Sequence, residues 1–104
     1  MTLTNIDYIP NQEILEHYGV VSGSTIRAKH AGRDFAASFK NFFGGELKGY
    51  TELLEESRQE ALQRMIKQAQ GLGATAIINV RFSTSSIAQG AAEIYVYGTA
   101  VKTR

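Results

Sequence analysis

Near its C-terminus the chain runs Glu93-Ile94-Tyr95-Val96-Tyr97-Gly98-Thr99-Ala100-Val101. Successive side chains of a strand point to opposite faces. Ile94, Val96 and Ala100 therefore share one face, and Tyr95, Tyr97, Thr99 and Val101 the other. An antiparallel sheet with one wet side carries a polar row on that side. This strand has no such row, so both faces of its sheet need cover.

Working back from it, Gln89-Gly90 sits in a polar turn, and before that turn comes a second strand. Ala76, Ile78, Val80 and Phe82 alternate there with Ile77, Asn79, Arg81 and Ser83, a period of two. The preceding segment changes period. Leu54, Ala61, Met65, Ala69 and Leu72 form a stripe at helical spacing, widened by Leu53, Leu62 and Ile66, which predicts a helix over about Thr51 to Leu72. Its first half is acidic and its second half basic, in keeping with the helix dipole. Gly71 and Gly73 supply the stop.

A shorter helix is expected over Arg33 to Phe43. Phe35, Phe39, Phe42 and Phe43 fall at i, i+4, i+7 and i+8 there, and we read them as packing residues rather than a cofactor box. Asp34 would favour its N-terminus and Gly44-Gly45 would end it. Upstream, Glu13 to about Lys29 reads as a long strand, with isolated glycines at Gly19 and Gly23 of the kind that mark bulges or close backbone approaches. A bend or break is expected near Ser22-Gly23-Ser24. Pro10 marks a turn after a short first strand at about residues 2 to 7. The expected fold is one α+β domain over residues 1–104: an antiparallel sheet with two helices on one face. A chain of 104 residues has no layer left for the other face. Burying a Tyr or Val side chain is worth about 1.5–3 kcal/mol, so a homo-oligomer is the expected completion.

Composition narrows the function. The chain is 43% hydrophobic and 20% charged, with 11 basic and 10 acidic side chains and a net charge of +1. That balance suits a folded domain and excludes binding to nucleic acid or a membrane surface through bulk charge. No apolar run has the length of a membrane span. The start, Met1-Thr2-Leu3-Thr4-Asn5, carries no signal-peptide block, so the cytoplasm is the expected compartment. With no cysteine there is no disulfide, thiol nucleophile or thiolate metal site.

Catalytic chemistry is sparse. His17 and His30 are the two histidines, and their spacing matches no zinc signature. No serine lies in a nucleophile elbow, and the glycines form no phosphate loop. Arg33 and Asp34 at the first helix and Arg58 in the second are the charged positions that could meet a ligand. Arg58 borders the apolar stripe, where its stem could lie while its guanidinium pairs with a carboxylate such as Asp34.

Six pieces stand in a specific order: Tyr18-Gly19-Val20-Val21-Ser22-Gly23; Arg33-Asp34-Phe35; Phe43-Gly44-Gly45 with Tyr50 after it; Arg58-Gln59-Glu60-Ala61-Leu62; Leu72-Gly73-Ala74-Thr75-Ala76-Ile77; and Gly98-Thr99-Ala100-Val101. Together they resemble the YbjQ-like family, often labelled as heavy-metal-binding domains of unknown function, over nearly the whole chain. The resemblance implies a two-layer sandwich of the dodecin-subunit-like kind, assembled as a homopentamer with intersubunit strands, and no established enzymatic activity. This chain departs from the family where Asn79, Arg81 and Ser83 occupy a strand that is often acidic, and where His17-Tyr18 stands in a region that carries cysteine in some members.

The expectation is a non-enzymatic, cytoplasmic homo-oligomer of unknown ligand, with no cofactor and with itself as partner. One alternative is a metal-binding or metal-sensing module using His17, His30 or Asp34 across subunit interfaces. Another is an enzyme or binder for a small anionic ligand near Arg33 and Arg58.

Overall fold

The computed structural model describes residues 1–28, 46–88 and 91–104. The expected helix over Arg33 to Phe43, with its four phenylalanines, lies outside the described residues. Four strands and one helix make up the described part: β1 (Thr2–Leu3), β2 (Ile14–Ala28), α1 (Glu46–Gly71), β3 (Ala76–Ala88) and β4 (Ala91–Thr103). The strands form a single sheet in the order β1-β3-β4-β2. The protein is α+β, as its periodicities required.

The sheet is mixed rather than antiparallel. β4 pairs antiparallel with both β2 and β3, but β1 lies parallel to β3, Thr2 opposite Ala76 and Leu3 opposite Ile77. Parallel neighbours need a long crossover, and here β2 and α1 supply it. β1 is also shorter than the five or six residues its sequence suggested, although Thr4 and Ile6 continue to bond the edge of β3.

α1 packs over β2 and β4. Ala61, Met65 and Ala69 of its stripe are fully buried against Val21, Ile77, Ile94, Val96 and Ala100. Leu72 is exposed instead of closing the stripe, because α1 ends at Gly71. The chain turns there through bonds from Leu72 N, Gly73 N and Ala74 N to the carbonyls of Ala69, Gln70 and Ala69. The last turn therefore holds no basic residue, and the dipole argument fails at that end. At the other end α1 begins at Glu46, about one turn ahead of the expected Thr51.

Irregularities reset the alternation of both β3 and β2. On β3, Ile78 lies opposite Thr99 and Arg81 opposite Tyr97, three residues against two. Asn79, with φ 54°, is the extra one. Ala76 and Ile78 thus share a face with Arg81 and Ser83, while Ile77 shares the helix face with Val80 and Phe82. The unbroken alternation read from the sequence stops at this bulge. On β2 register shifts fall between Ile14 and Glu16 and between His17 and Gly19, where Gly19 has φ 102°. The strand then continues in register through Ser22-Gly23-Ser24, where a break was expected. Gly23 is needed for close approach of the helix, not for bending.

The second face is not left wholly to another molecule. Ile9, from the turn after β1, is buried with Ala76, Ile78 and Val101 in a small second core bordered by Ile14. The expectation that this chain could supply no cover there is corrected for the near half of the sheet; in the far half Val20, Ile26 and Tyr97 are exposed. That half extends as an arm. The molecule measures 52 × 23 × 16 Å with a radius of gyration of 16.8 Å, against about 13 Å for a compact domain of 100 residues.

Candidate functional site

The far half of the second face is built from three strands. Register places Tyr97 of β4 between Ser22 of β2 and Arg81 of β3, and Tyr95 between Ser24 and Ser83. Being two apart on one strand, Tyr95 and Tyr97 stand side by side. Their rings stack with centroids 5.6 Å apart and planes inclined by 30°. Val20 and Ile26, at the two ends of the β2 row, are 73% and 61% exposed. The result is a flat surface with a tyrosine pair at its centre, serines beside it and aliphatic side chains at the edge.

Such a surface has the chemistry to adhere. Tyrosine offers a rigid apolar ring and one hydroxyl, the combination that recurs at protein interfaces. The nearby cation, Arg81, is turned toward the N-terminal segment. Its Nη1 donates to Asn5 O at 2.7 Å and to Val80 O at 3.1 Å. Arg81 thus fastens the segment that follows β1 onto the edge of β3.

The residues singled out from the sequence do not meet on this surface. His17 is exposed on β2, opposite Val101 and beside the bulge. Arg58 is exposed on α1, with Nη1 3.8 Å from Glu55 Oε2 one turn before it. It is in an ion pair with this helix neighbour; the pairing with Asp34 envisaged from sequence lies outside the described residues. His30, Arg33 and Asp34 lie outside the described residues. Among the described residues, no group of three or more His, Cys, Asp or Glu side chains comes together to hold a metal ion. No helix among them is long and apolar enough to cross a membrane.

Sequence reading missed several residues that shape this half of the sheet. Ile9 caps the near end of the second face, and Arg81 anchors the N-terminal segment. Two side chains of α1 reach the outer edge of β2: Gln68 Oε1 accepts from Ser22 N at 2.8 Å, and Arg64 Nη1 donates to Ser24 O at 2.6 Å. No local pattern announces these contacts, since each joins residues at least 40 positions apart.

A helix laid across one face of a mixed four-stranded sheet, with a tyrosine-bearing second face, defines a small α+β domain. The chain belongs to the YbjQ-like family: a family model described as "Putative heavy-metal-binding" matches residues 1–104. It is similar to a UPF0145 protein of Hahella chejuensis, 65% identical over 97% of each chain. UPF0145 proteins of Thermotoga maritima and Archaeoglobus fulgidus are 54% and 53% identical, each over 98% of this chain and over 96% and 94% of their own. Among solved structures, a Pediococcus pentosaceus protein of unknown function from the DUF74 family matches with a TM-score of 0.67 at 18% identity. The match covers 100% of this chain and 98% of that one. At that identity the likeness concerns the fold alone.

Proposed function

We propose that this chain works as a non-enzymatic homo-oligomer in the cytoplasm, with the tyrosine-bearing face of its sheet closed by neighbouring copies. The observation that carries this reading is the exposure of Val20, Ile26 and Tyr97 on one face of a sheet whose other face is already covered by α1. Five is the subunit number that the family resemblance implies. That resemblance also supplies the dodecin-subunit-like arrangement. The stacked tyrosines and the exposed aliphatic side chains beside them support a binding or scaffolding role. Native mass spectrometry of the protein purified from its own host tests the proposal. A multiple of the 11.4 kDa chain is expected, and a single-chain mass at micromolar concentration overturns it.

A further inference from the structure

Three consecutive residues of β3 hold the segment that follows β1. Asn79 N donates to Ile6 O and Val80 N to Thr4 O, both at 3.0 Å, and Arg81 Nη1 donates to Asn5 O at 2.7 Å. In a regular strand neighbouring amides point to opposite edges, so Asn79 and Val80 would not both serve the same one. The bulge makes this arrangement: with φ 54° at Asn79, the extra residue turns two successive N–H groups outward. Thr4 N completes the set by donating to Ile77 O at 3.0 Å.

The segment grips the sheet from both sides of this edge. Leu3 packs against the helix-side core, whereas Ile9 is buried in the second core on the opposite face. Little else in it is buried: Asn5, Ile6, Asp7, Tyr8, Pro10 and Asn11 are exposed. At Glu13 the chain is firmly held again, because Glu13 and Arg104 exchange backbone hydrogen bonds of 3.1 and 2.9 Å.

Backbone strain falls on the same stretch. Among the described residues, Asn79 and Asn11 are the non-glycine residues with positive φ, at 54° and 66°. Asn79 lies where the segment is gripped. Asn11 lies in the turn before Glu13, closed by Gln12 N donating to Ile9 O at 3.1 Å. Residues in such conformations persist where their surroundings impose them. Few buried side chains, exposed hydrogen bonds and local strain together mark a unit that opens ahead of the rest of the fold.

We propose that residues 2–12 form a strap that opens as one unit about a hinge at Gln12 and Glu13, with Asn79, Val80 and Arg81 as its latch. Closed, the strap places Ile9 over Ala76, Ile78 and Val101. Opened, it joins these three to Thr99, Tyr97 and Tyr95, which follow Val101 along the same face of β4. The strap therefore sets how much apolar surface the second face offers. It is an autoinhibitory contact internal to one chain.

Native-state amide exchange tests this on the unaltered protein. The bonds of the Thr4, Asn79 and Val80 amides cross between strap and sheet, so all three should report one opening equilibrium. That equilibrium should be at least about tenfold more favourable than the one governing Val96, buried in the central strand. Arg81→Ala should accelerate exchange of the three strap amides about tenfold and leave Val96 unchanged. The chain has no native cysteine, so Ala76→Cys sets a single thiol beneath Ile9. Its labelling by a thiol reagent should quicken by the same factor when Arg81→Ala is added. Equal protection of the strap amides and Val96 in the unaltered protein overturns the inference, because the segment would then leave only on global unfolding. Uniform acceleration of all four amides in Arg81→Ala overturns the latch. Thiol labelling that follows Val96 exchange rather than the strap amides overturns the uncovering of the second face.

Discussion

Gly23 of β2 runs directly beneath Ala61 of α1. A Cβ built on Gly23 would collide with the Ala61 carbonyl oxygen and lie 2.6 Å from Met65 N. Helix and strand are therefore in backbone contact, and the side chains around that contact pack accordingly. Thr25, two residues on, is buried and donates from Oγ1 to Ser57 O at 3.0 Å, one turn before Ala61. Ser57 is itself fully buried, with its Oγ donating to Leu53 O at 2.9 Å. Hydrogen bonds to backbone carbonyls thus let two polar residues join an otherwise apolar seam without the cost of unpaired burial.

Gly23→Ala should be among the most damaging small substitutions in the protein. The methyl group meets helix backbone rather than a flexible side chain, so α1 must lift from the sheet. Overpacking of this kind costs about 1–3 kcal/mol and sometimes more. Gly71→Ala, where an added Cβ meets nothing within 4 Å, is the control and should be neutral or stabilising. Urea midpoints of the two variants decide the matter, and equal midpoints would count against the close contact.

Met65→Ala should cost about 2–5 kcal/mol, because the side chain is fully buried beneath the helix. Leu72→Ala should stay within about 0.5 kcal/mol, since Leu72 lies beyond the helix end and is exposed. The pair separates the observed stripe from the one drawn on the sequence. Thermal or chemical unfolding of both variants measures the difference.

Ile26→Lys tests the tyrosine-bearing face without disturbing the core. Ile26 is exposed in the single chain and stands opposite Glu93 on β4, so a lysine there can find a cross-strand partner. Folding stability at low concentration should change little. Sedimentation should nonetheless report a smaller species than the wild type, and an unchanged assembly would show that this face is not the interface.

Gln68→Ala combined with Arg64→Ala should leave the core intact and open the edge of β2. Both side chains are largely outside the core, and their removal frees Ser22 N and Ser24 O for a foreign strand. Increased turbidity or larger species in size-exclusion chromatography, with a native far-ultraviolet spectrum, is the expected outcome. A variant that remains as well behaved as the wild type would show that the bonds do not guard the edge.

Zinc, copper and cadmium should bind weakly and without fixed stoichiometry. The chain lacks the thiolate that makes sites selective for soft metals. The described residues bring no three donors together. Symmetry offers one route around this, since a ring could gather one histidine from each copy at its axis. Equilibrium dialysis with bound metal counted per chain is the test. Uptake near one per chain or one per ring, abolished by His17→Ala or His30→Ala, would overturn the expectation.

Much of the architecture is legible in short-range patterns. The period of two in Glu93–Val101 and the stripe of Ala61, Met65 and Ala69 specify a strand and a helix because side chains at those spacings share a face, whereas the alternation in Ala76–Phe82 marks a strand but holds only up to the bulge at Asn79. The glycines also carried readable information: Gly19 marks an irregularity, and Gly23, where a bend was expected, marks a close approach. The site was less legible. The pairing of Tyr95 with Tyr97 follows from strand alternation, whereas the ion pair of Arg58 depends on which carboxylate lies within reach.

Sequence alone determined that strands and an amphipathic helix would form and that both faces of the last strand would seek cover. Those properties depend on side chains a few residues apart, whose relative directions are set by the local backbone. Only the tertiary structure decided that β1 runs parallel to β3, that Ile9 covers Val101, and that Gln68 and Arg64 close one edge of the sheet. Each of these joins distant parts of the chain. Backbone donors and acceptors are alike at every residue, so which of them meet is settled by how the packed elements come to lie.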